Sequence, residues 1–394
     1  MTREYEAILT DDFEMAFEQA LRVAQDVLRP GSREAERAGR WTSKMVKAYW
    51  DLGLVNLLVP KSMGGYGDPL AASITLEALA SGDCGGLLYN DSPGPYSGVL
   101  AVFLEVEPQD FSGISNSPFS RARFGLSVFR GTYQDLLAQH SSGSISGVLD
   151  WCPGTLPEWS NPENSNSQEA FKNTSSNLAL NSSTLFLVGD DFIIGIDNTH
   201  VTAESAQASA LQASGGVRLT WRDLSSYTLI SNQQAAALYA KSIARLWIAS
   251  VLVGLGQCAL DYAIAYGKDR EVFGIPIVEH QANSFELAVT STKLEAARLG
   301  LRRGCTEFDM AVPWGNSTEP LWMITQAYCE ATEASLLATD LALQLLGGHG
   351  YMEDHLVEKW WREVRCLVQL YGGQSSAISD LADMVLKYHD PFVV

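Results

Sequence analysis

The sequence is short of positive charge. Its 394 residues include 27 Lys and Arg against 46 Asp and Glu, which gives a formal net charge of -19 at pH 7. Such an excess of negative charge repels phosphate backbones and anionic lipid headgroups. We therefore expect no nucleic-acid partner and no membrane partner.

Cysteine is also sparse, and its spacing excludes two kinds of site. The six cysteines are Cys84, Cys152, Cys258, Cys305, Cys329 and Cys366. They form no CxxC or CxxH pair, so the sequence predicts neither a zinc site nor a disulfide framework. Reduced thiols in the core are the expected state.

No apolar run is long and uninterrupted. The longest, "LWIASVLVGLGQCALDYAIA", contains Gln257 and Asp261, which favours a buried helix over a membrane span. The start of the chain, "MTREYEAILTDDFEMAFEQALRV", is acidic and amphipathic, unlike a signal peptide. The expected location is cytoplasmic.

What the chain does contain is ample apolar and aromatic material for a large core. Hydrophobic residues make up 46% of it, and its length predicts more than one structural layer or domain. Apolar residues at helical spacing predict an N-terminal helical domain over residues 1–142, with helix through "SRARFGLSVFRGTYQDLLAQH". Short β-branched and aromatic runs predict a β domain over residues 143–231. The helical period returns over residues 232–394 and predicts a bundle.

Within the predicted β domain, two segments have distinct patterns. The segment "LFLVGDDFIIGI" predicts a hairpin of two strands joined across Gly-Asp-Asp. A Ser/Asn-rich stretch over residues 160–183 predicts a long loop, and its role is open.

Three sequence blocks carry a resemblance to a known family. They are "AYWDLGLVNLLVPKSMGGYGDPLAASITLEALASGDCG" (48–85), "ALDYAIAYGKDREVFGIPIVEHQ" (259–281) and "QLLGGHGYMEDHLVEKWWREVR" (344–365). In this order they resemble the flavin-dependent acyl-CoA dehydrogenases. The resemblance implies an α+β fold: an N-terminal helical domain, a middle β-barrel or β-sheet domain and a C-terminal four-helix bundle.

The resemblance also implies contacts to FAD. In the family, the arginine of "R.xFG", the glutamine eleven residues on and the "QxxGG" turn reach the FAD of the neighbouring subunit. The matching residues here are Arg270, Phe273, Gln281, Gln344, Gly347 and Gly348. An arginine suits a pyrophosphate, and paired glycines let backbone N–H groups approach an anion. Arg245, in the first bundle helix, is the candidate contact to substrate.

The chain departs from the family where the chemistry takes place. The family removes a proton α to the thioester with a carboxylate while the flavin accepts a hydride. At the usual glutamate position this sequence has Tyr371 or, with a one-residue shift, Gly372, and the alternative position is Ala244. An unperturbed phenol titrates near pH ~10, too high for this role. We therefore predict no catalytic residue, with Tyr371 filling the vacated pocket.

The β domain has lost further family features. Trp151, Cys152 and Pro153 stand where Thr, Glu and Pro are usual, and no "GSD" follows. Lys241 and Ser242 replace an aromatic residue and an aspartate. Contacts that a subunit makes to its own flavin ring and acyl chain are thus lost, while contacts to a neighbour's FAD remain.

This one-sided loss favours one hypothesis among three. The first is the non-catalytic, pseudoenzyme subunit of a heteromeric acyl-CoA dehydrogenase, with the α2β2 composition of family members of this type, in which a paralogous partner mainly holds the FAD and the acyl-CoA. The second is an enzyme in its own right, with an unconventional base or with a non-redox lyase or hydratase activity on CoA esters. The third is a flavin-free scaffold or binding protein. The sequence does not identify the acyl group.

Overall fold

The first part of the chain is helical in the computed structural model, which describes residues 11–61, 65–91, 94–106, 124–139, 145–153, 183–224, 227–308 and 319–388. Its helices are α1 (Asp11–Val23), α2 (Arg29–Ala38), α3 (Ser43–Asp51), α4 (Pro69–Ala80), α5 (Cys84–Asn90) and α6 (Ser97–Val106). A π-helical segment, Ala24–Leu28, joins α1 to α2. Thr42, Asp68 and Asp83 begin α3, α4 and α5 as N-caps, because each side chain accepts a backbone N–H three residues on.

The middle part is a mixed β domain. Its elements are β1 (Phe124–Val128), α7 (Tyr133–Gln139), β2 (Ile145–Cys152), β3 (Thr184–Val188), β4 (Ile193–Asp197), β5 (Thr202–Ser205), β6 (Val217–Leu224) and β7 (Thr228–Ser231). One sheet has the order β1-β3-β4-β7, with β1 parallel to β3 and the other neighbours antiparallel. The other has the antiparallel order β2-β6-β5. Residues 160–182 of the Ser/Asn-rich loop predicted from the sequence lie outside the described residues.

The predicted hairpin is confirmed: β3 and β4 pair antiparallel around Gly-Asp-Asp. Its strands are apolar at consecutive positions because both faces of the sheet are buried. Leu185 and Leu187 face the second sheet, whereas Phe186 and Val188 pack into the main core with the helices. The hairpin therefore connects the β domain to the helical body.

The helix predicted through residues 120–140 is wrong in its first half. Phe124–Val128 is a strand, and α7 begins only at Tyr133. The strand forms because β3 offers a parallel edge with which all five residues pair, and this pairing buries Leu126. Pairing and burial override a weak local pattern. The β domain thus includes a strand that precedes its predicted start at residue 143.

The last part of the chain is a bundle. Its helices are α8 (Gln234–Asp269), α9 (Gln281–Glu307), α10 (Glu319–Leu346), α11 (Val357–Leu367) and α12 (Gly373–Tyr388), with a small hairpin, β8 (Glu271–Val272) and β9 (Ile275–Pro276), between α8 and α9. By length and composition, α8 could cross a membrane, but 94% of its most apolar window is buried inside the protein. It is the central helix of the core, packed against α4, α9 and α10.

A buried ion network joins the N-terminal helices to the bundle. Lys359 of α11 donates from Nζ to Asp83 Oδ1 at 2.7 Å and also pairs with Glu363. Asp83 in turn accepts from Trp41 Nε1 at 2.6 Å. Buried charges are stable only when paired in this way, so the network fixes the bundle against α5.

Candidate functional site

The turn Leu370–Gly372, between α11 and α12, holds the position where the resemblance places a catalytic glutamate. Tyr371 has a left-handed backbone there, with φ 54° and ψ 40°. Its ring meets that of Tyr96 edge-on with centroids 5.6 Å apart, and the two hydroxyl oxygens are 3.1 Å apart. Tyr96 lies just before α6 and is 1% exposed. The Tyr371 side chain therefore closes the turn against the N-terminal helices.

The Tyr371 hydroxyl is poorly suited to act as a base. Burial raises its pKa well above that of a free phenol, and the hydrogen bond with Tyr96 offsets only part of this increase. A general base works best when its pKa is near the operating pH. The environment thus moves Tyr371 further from a proton acceptor.

The second candidate for the glutamate position, Gly372, has no space for a side chain. A Cβ there would lie 2.8 Å from Cβ of Val128 and 3.0 Å from Cβ of Ser376. Gly372 also has φ 89°, a conformation that favours glycine. A carboxylate cannot occupy this position without displacing β1 or α12.

A buried ion network lies next to this turn. Asp380 of α12 accepts from Lys241 Nζ at 2.7 Å and from Arg245 Nη2 at 2.5 Å. Both cations belong to α8 and are 3% and 2% exposed. Burial opposes ionisation of Asp380, but Arg245 and Lys241 outweigh it and hold the pKa of this carboxyl below its usual value. Burial lowers the pKa of Lys241, although Asp380 counteracts part of this shift.

The guanidinium of Arg245 is committed to protein groups. Besides Asp380, it is 3.3 Å from Ser376 Oγ and 3.4 Å from Thr325 Oγ1. Its neighbour Ala244 is fully buried and supplies no carboxylate at the alternative base position. Contact between Arg245 and a substrate stays a prediction, and it would require these internal bonds to rearrange.

The end of β2 carries the segment that the resemblance assigns to the flavin-ring contacts. Burial raises the pKa of the Cys152 thiol well above its usual value, so the thiol stays protonated. The indole N–H of Trp151 has no hydrogen-bond partner in the described part of the chain. Trp151, Cys152 and Pro153 offer neither a hydroxyl nor a carboxylate. They therefore lack the two side-chain groups that the resemblance leads us to expect here, although the Trp151 N–H is a donor without a partner among the described residues.

At the far end of α8, the hairpin β8–β9 presents residues outward. Arg270 ends α8 with an exposed side chain, and its backbone N–H donates to Tyr266 O at 3.0 Å. Phe273 and Gly274, with φ 54° and 86°, form a two-residue loop with both positions left-handed. This conformation is strained for a bulky residue, yet Phe273 is 96% exposed. Its ring meets that of His280 edge-on, with centroids 6.4 Å apart, and this contact leaves nearly all of the ring in solvent.

The glutamine and glycine positions are equally open. Gln281 begins α9 and Gln344 lies near the end of α10, and both are exposed. Gly347 has φ 56°, and a Cβ there would contact nothing within 4 Å. At Gly348 the nearest atom would be the Tyr351 hydroxyl at 3.9 Å. The backbone of this turn is accessible to an anionic group, as a phosphate contact requires.

The structure places the predicted site residues in two groups. The hairpin and the glycine turn meet at Tyr266, whose hydroxyl lies 2.8 Å from His349 Nδ1. Arg245, beside the Tyr371 turn, is far from this end: the helical rise of α8 puts roughly 37 Å between Arg245 and Arg270. The outward group has an exposed cation and an open glycine turn, as a phosphate contact requires. The inward group is occupied by internal ion pairs and hydrogen bonds.

Sequence reasoning missed Tyr96 and Asp380. Each contacts its partner across a long sequence separation, Tyr96 with Tyr371 and Asp380 with Lys241. Lys241 and Arg245 gave the signal for Asp380, because cations within an apolar helix require a buried carboxylate. The pattern does not show which carboxylate that is.

Comparisons with known proteins agree with the fold. Family models described as the acyl-CoA dehydrogenase N-terminal domain and the acyl-CoA dehydrogenase C-terminal domain match residues 10–94 and 235–384. The mitochondrial short-chain specific acyl-CoA dehydrogenase of Bos taurus is 26% identical over 361 residues, 89% of this chain and 84% of the relative.

Solved structures give the same fold at lower identity. A glutaryl-CoA dehydrogenase from Mycobacterium smegmatis in complex with FADH2 superposes with a TM-score of 0.71 at 16% identity, over 98% of this chain and 97% of the other. A variant of the Tcur3481-Tcur3483 steroid ACAD gives a TM-score of 0.67 at 17% identity, over 96% of this chain and 98% of the other. With the two family models covering more than half of its length, the chain belongs to the acyl-CoA dehydrogenase family.

Proposed function

We propose that this chain is a non-catalytic subunit of a heteromeric FAD-dependent acyl-CoA dehydrogenase. Membership of the family implies FAD as the cofactor and an acyl-CoA thioester as the substrate class. In the proposed assembly, an α2β2 heterotetramer, a paralogous partner holds the flavin ring, the base and the acyl chain. This chain completes the partner's FAD site with its outward residues.

The observation that carries the proposal is the Tyr371–Tyr96 contact. The position of the family base is taken by a phenol that is held against Tyr96, 3.1 Å from its hydroxyl. The neighbouring Gly372 has no room for a carboxylate, and Ala244 is buried without one. Proton abstraction from an acyl thioester therefore has no suitable acceptor at any of the three positions.

The outward group supports a role in another subunit's cofactor site. Arg270 makes no ion pair with any described residue, and Phe273 extends into solvent beside it. A guanidinium held at the end of a rigid helix can bind a pyrophosphate by two parallel hydrogen bonds. The open glycine turn offers a second possible contact to the same kind of anion.

The name of one solved neighbour, the Tcur3481-Tcur3483 steroid ACAD, contains two proteins, which is consistent with a two-component assembly. That statement concerns the neighbour alone. It supports the search for a paralogue with an intact glutamate and an intact "GSD" segment, encoded near this chain in the same genome.

The experiment compares three preparations: the chain alone, the Tyr371→Glu variant alone, and the chain co-expressed with that paralogue. The measurements are the visible flavin spectrum and turnover of an acyl-CoA panel with a flavin-linked dye. We expect the chain alone to be colourless and inactive, because a missing base costs roughly 10²–10⁴-fold in rate and the ring contacts are also missing. Tyr371→Glu should not restore activity, since it supplies an acid without those contacts.

The co-expressed complex should be yellow and active. A yellow, active homo-oligomer of the unmodified chain would refute the proposal and would make Tyr371 the first residue to test as an unconventional base. A colourless, inactive complex would favour the scaffold hypothesis instead.

A further inference from the structure

Five aromatic rings form a continuous column beneath the glycine turn. In order of contact they are Trp360, Tyr262, His355, His349 and Tyr266, here called the ring column, and Tyr266 also meets His355 edge-on with centroids 6.1 Å apart. Adjacent ring centroids are 5.8 Å, 6.0 Å, 5.4 Å and 5.8 Å apart in that order. The two imidazoles are stacked, with 19° between their planes, and the other neighbours meet edge-on. Both geometries are favourable for aromatic pairs.

Hydrogen bonds fix the column to the helix α8. The Tyr262 hydroxyl lies 2.7 Å from His355 Nδ1, and the Tyr266 hydroxyl lies 2.8 Å from His349 Nδ1. Both tyrosines are on α8, one turn apart, while both histidines follow α10. The column therefore attaches the segment that contains the glycine turn to the rigid central helix.

The inner end of the column is anchored firmly. Trp360 is fully buried, and the guanidinium of Arg29 lies 5.8 Å from its ring centre. Arg33 of α2 donates to the backbone oxygens of Glu353 and His355, both at 3.1 Å. The backbone next to His355 is thus held from two sides.

The outer end of the column reaches the residues that the proposed function uses. Tyr266 O accepts the backbone N–H of Arg270, and His349 directly follows the Gly347–Gly348 pair. Two consecutive glycines leave the backbone flexible. A Cβ at Gly347 would meet no atom within 4 Å, and one at Gly348 would meet only the Tyr351 hydroxyl. Lateral support for the turn comes from His349, between Tyr266 and His355.

We infer that Tyr266, His349 and His355 are positioning residues that fix the Gly347–Gly348 turn relative to Arg270. The inference rests on the proposed function, because the group to be positioned is the FAD of the partner. The His349 imidazole is both hydrogen-bonded and stacked. It therefore fixes the position and the orientation of the turn that precedes it. The column thereby holds the backbone of the turn in place relative to the end of α8, where Arg270 lies. Holding the turn in this way reduces the ordering cost of binding a phosphate group.

The test removes one hydroxyl from the column. Tyr266→Phe keeps the ring and loses the bond to His349, and Tyr328→Phe is the matched control, since its buried hydroxyl lies 3.4 Å from Val368 O, just after α11. Two quantities are measured: hydrogen exchange of the backbone over residues 347–351 in the chain alone, and flavin retention of the co-expressed complex by its visible spectrum. A lost hydrogen bond of about 1 kcal/mol corresponds to roughly a 5-fold change.

We expect Tyr266→Phe to speed exchange of the turn and to weaken flavin retention, each by roughly 5-fold, with Tyr328→Phe changing neither. His349→Asn retains a polar partner for Tyr266 but loses the stack, so it should show a smaller exchange effect than His349→Ala. The double variant Tyr266→Phe with His349→Ala should be no worse than His349→Ala alone, because the two residues act as one unit.

The outcomes separate the two levels of inference. Unchanged exchange in Tyr266→Phe overturns the positioning role, as does full flavin retention by a Tyr266→Phe complex whose unmodified form is yellow. If the unmodified complex is colourless, the proposed function fails. This inference then fails with it, because no cofactor is bound that the turn could position.

Discussion

Single residues decide the chemistry of this chain through their surroundings more than through their type. Asp91, between α5 and α6, shows this for a carboxyl that takes no part in the proposed function. It accepts from Trp247 Nε1 at 2.7 Å and from Tyr49 Oη at 3.3 Å. Even with these donors, burial raises its pKa to about 6. Tyr371 follows the same rule, since burial moves the pKa of its hydroxyl away from the range of a useful base.

Asp91 should make the stability of the protein depend on pH in a defined direction. Its folded pKa is above the ordinary value of 3.8, so the stabilisation it contributes is complete below about pH 4 and is lost as the pH rises to about 6. The shift corresponds to about 3 kcal/mol. Relative to Asp91→Asn, the unmodified chain should therefore lose about that much unfolding free energy between pH 4 and pH 7.

Chemical denaturation of both proteins across this pH range measures the difference. The matched control is Asp51→Asn, which removes an exposed carboxyl paired with Lys47 at the end of α3 and should have only a small effect on the free energy of unfolding. A constant gap between Asp91→Asn and the unmodified chain would mean that Asp91 is ionised in the folded state throughout.

At the scale of secondary-structure elements, those that depend on neighbouring residues can be predicted from the sequence, and those that depend on distant residues cannot. The β3–β4 hairpin was predictable because its strands and turn are adjacent in sequence. The strand β1 was not, because its partner β3 lies far along the chain and only that pairing gives it a reason to be extended. The candidate site shows the same difference. Its outward residues belong to the local motifs "R.xFG" and "QxxGG", whereas Asp380 and Tyr96 join the inward group through contacts that are distant in sequence.

The ion network between α8 and α12 should be essential to the packing of these helices. Asp380→Asn would leave Arg245 buried without this charged partner. Among the described residues, Lys241 would keep an ion pair only with the half-exposed Asp190, 3.9 Å away. Breaking a buried pair costs about 3–5 kcal/mol. We expect a loss of that size in the free energy of unfolding at pH 7, measured by chemical denaturation.

A surface pair provides the control for this substitution. The side chains of Asp150 and Arg218 are 78% and 52% exposed, so Asp150→Asn should have almost no effect. Equal losses from Asp380→Asn and Asp150→Asn would contradict a special role for the buried network.

The same network predicts acid sensitivity. Because Arg245 and Lys241 outweigh burial and lower the pKa of Asp380, its stabilising contribution is present above the ordinary Asp value and is lost as the pH falls through the lowered folded value. The gap between Asp380→Asn and the unmodified chain should therefore shrink in strong acid. A gap that stays constant with pH would show that the asparagine disrupts packing and not charge.

At the scale of the whole molecule, the two ends of α8 have different tasks. The end near Arg245 is sealed by ion pairs and by the Tyr371–Tyr96 contact. The end near Arg270 carries the exposed hairpin and the open glycine turn. This arrangement suits the proposed subunit role, in which the exposed end faces a partner while the end near Arg245 is occupied by side chains.

Arg270→Ala should lower flavin retention of the co-expressed complex. A charge-assisted hydrogen bond contributes about 1.5–3 kcal/mol, so the dissociation constant for FAD should rise roughly 10-fold to 100-fold. Flavin released on dilution, followed by fluorescence, measures this. Arg303→Ala is the control, because Arg303 is another exposed arginine, near the opposite end of α9. Equal retention in both variants would remove Arg270 from the cofactor site.

The strained, exposed hairpin has a consequence for the cell. Phe273 is 96% exposed and Tyr351 is 76% exposed, and exposed apolar surface of this kind attracts chaperones and proteases. In the proposed heteromer, an unassembled copy would expose these side chains and an assembled copy would cover them. The amount of this polypeptide that survives should then follow the supply of its partner, and any surplus made by unequal gene dosage should be degraded.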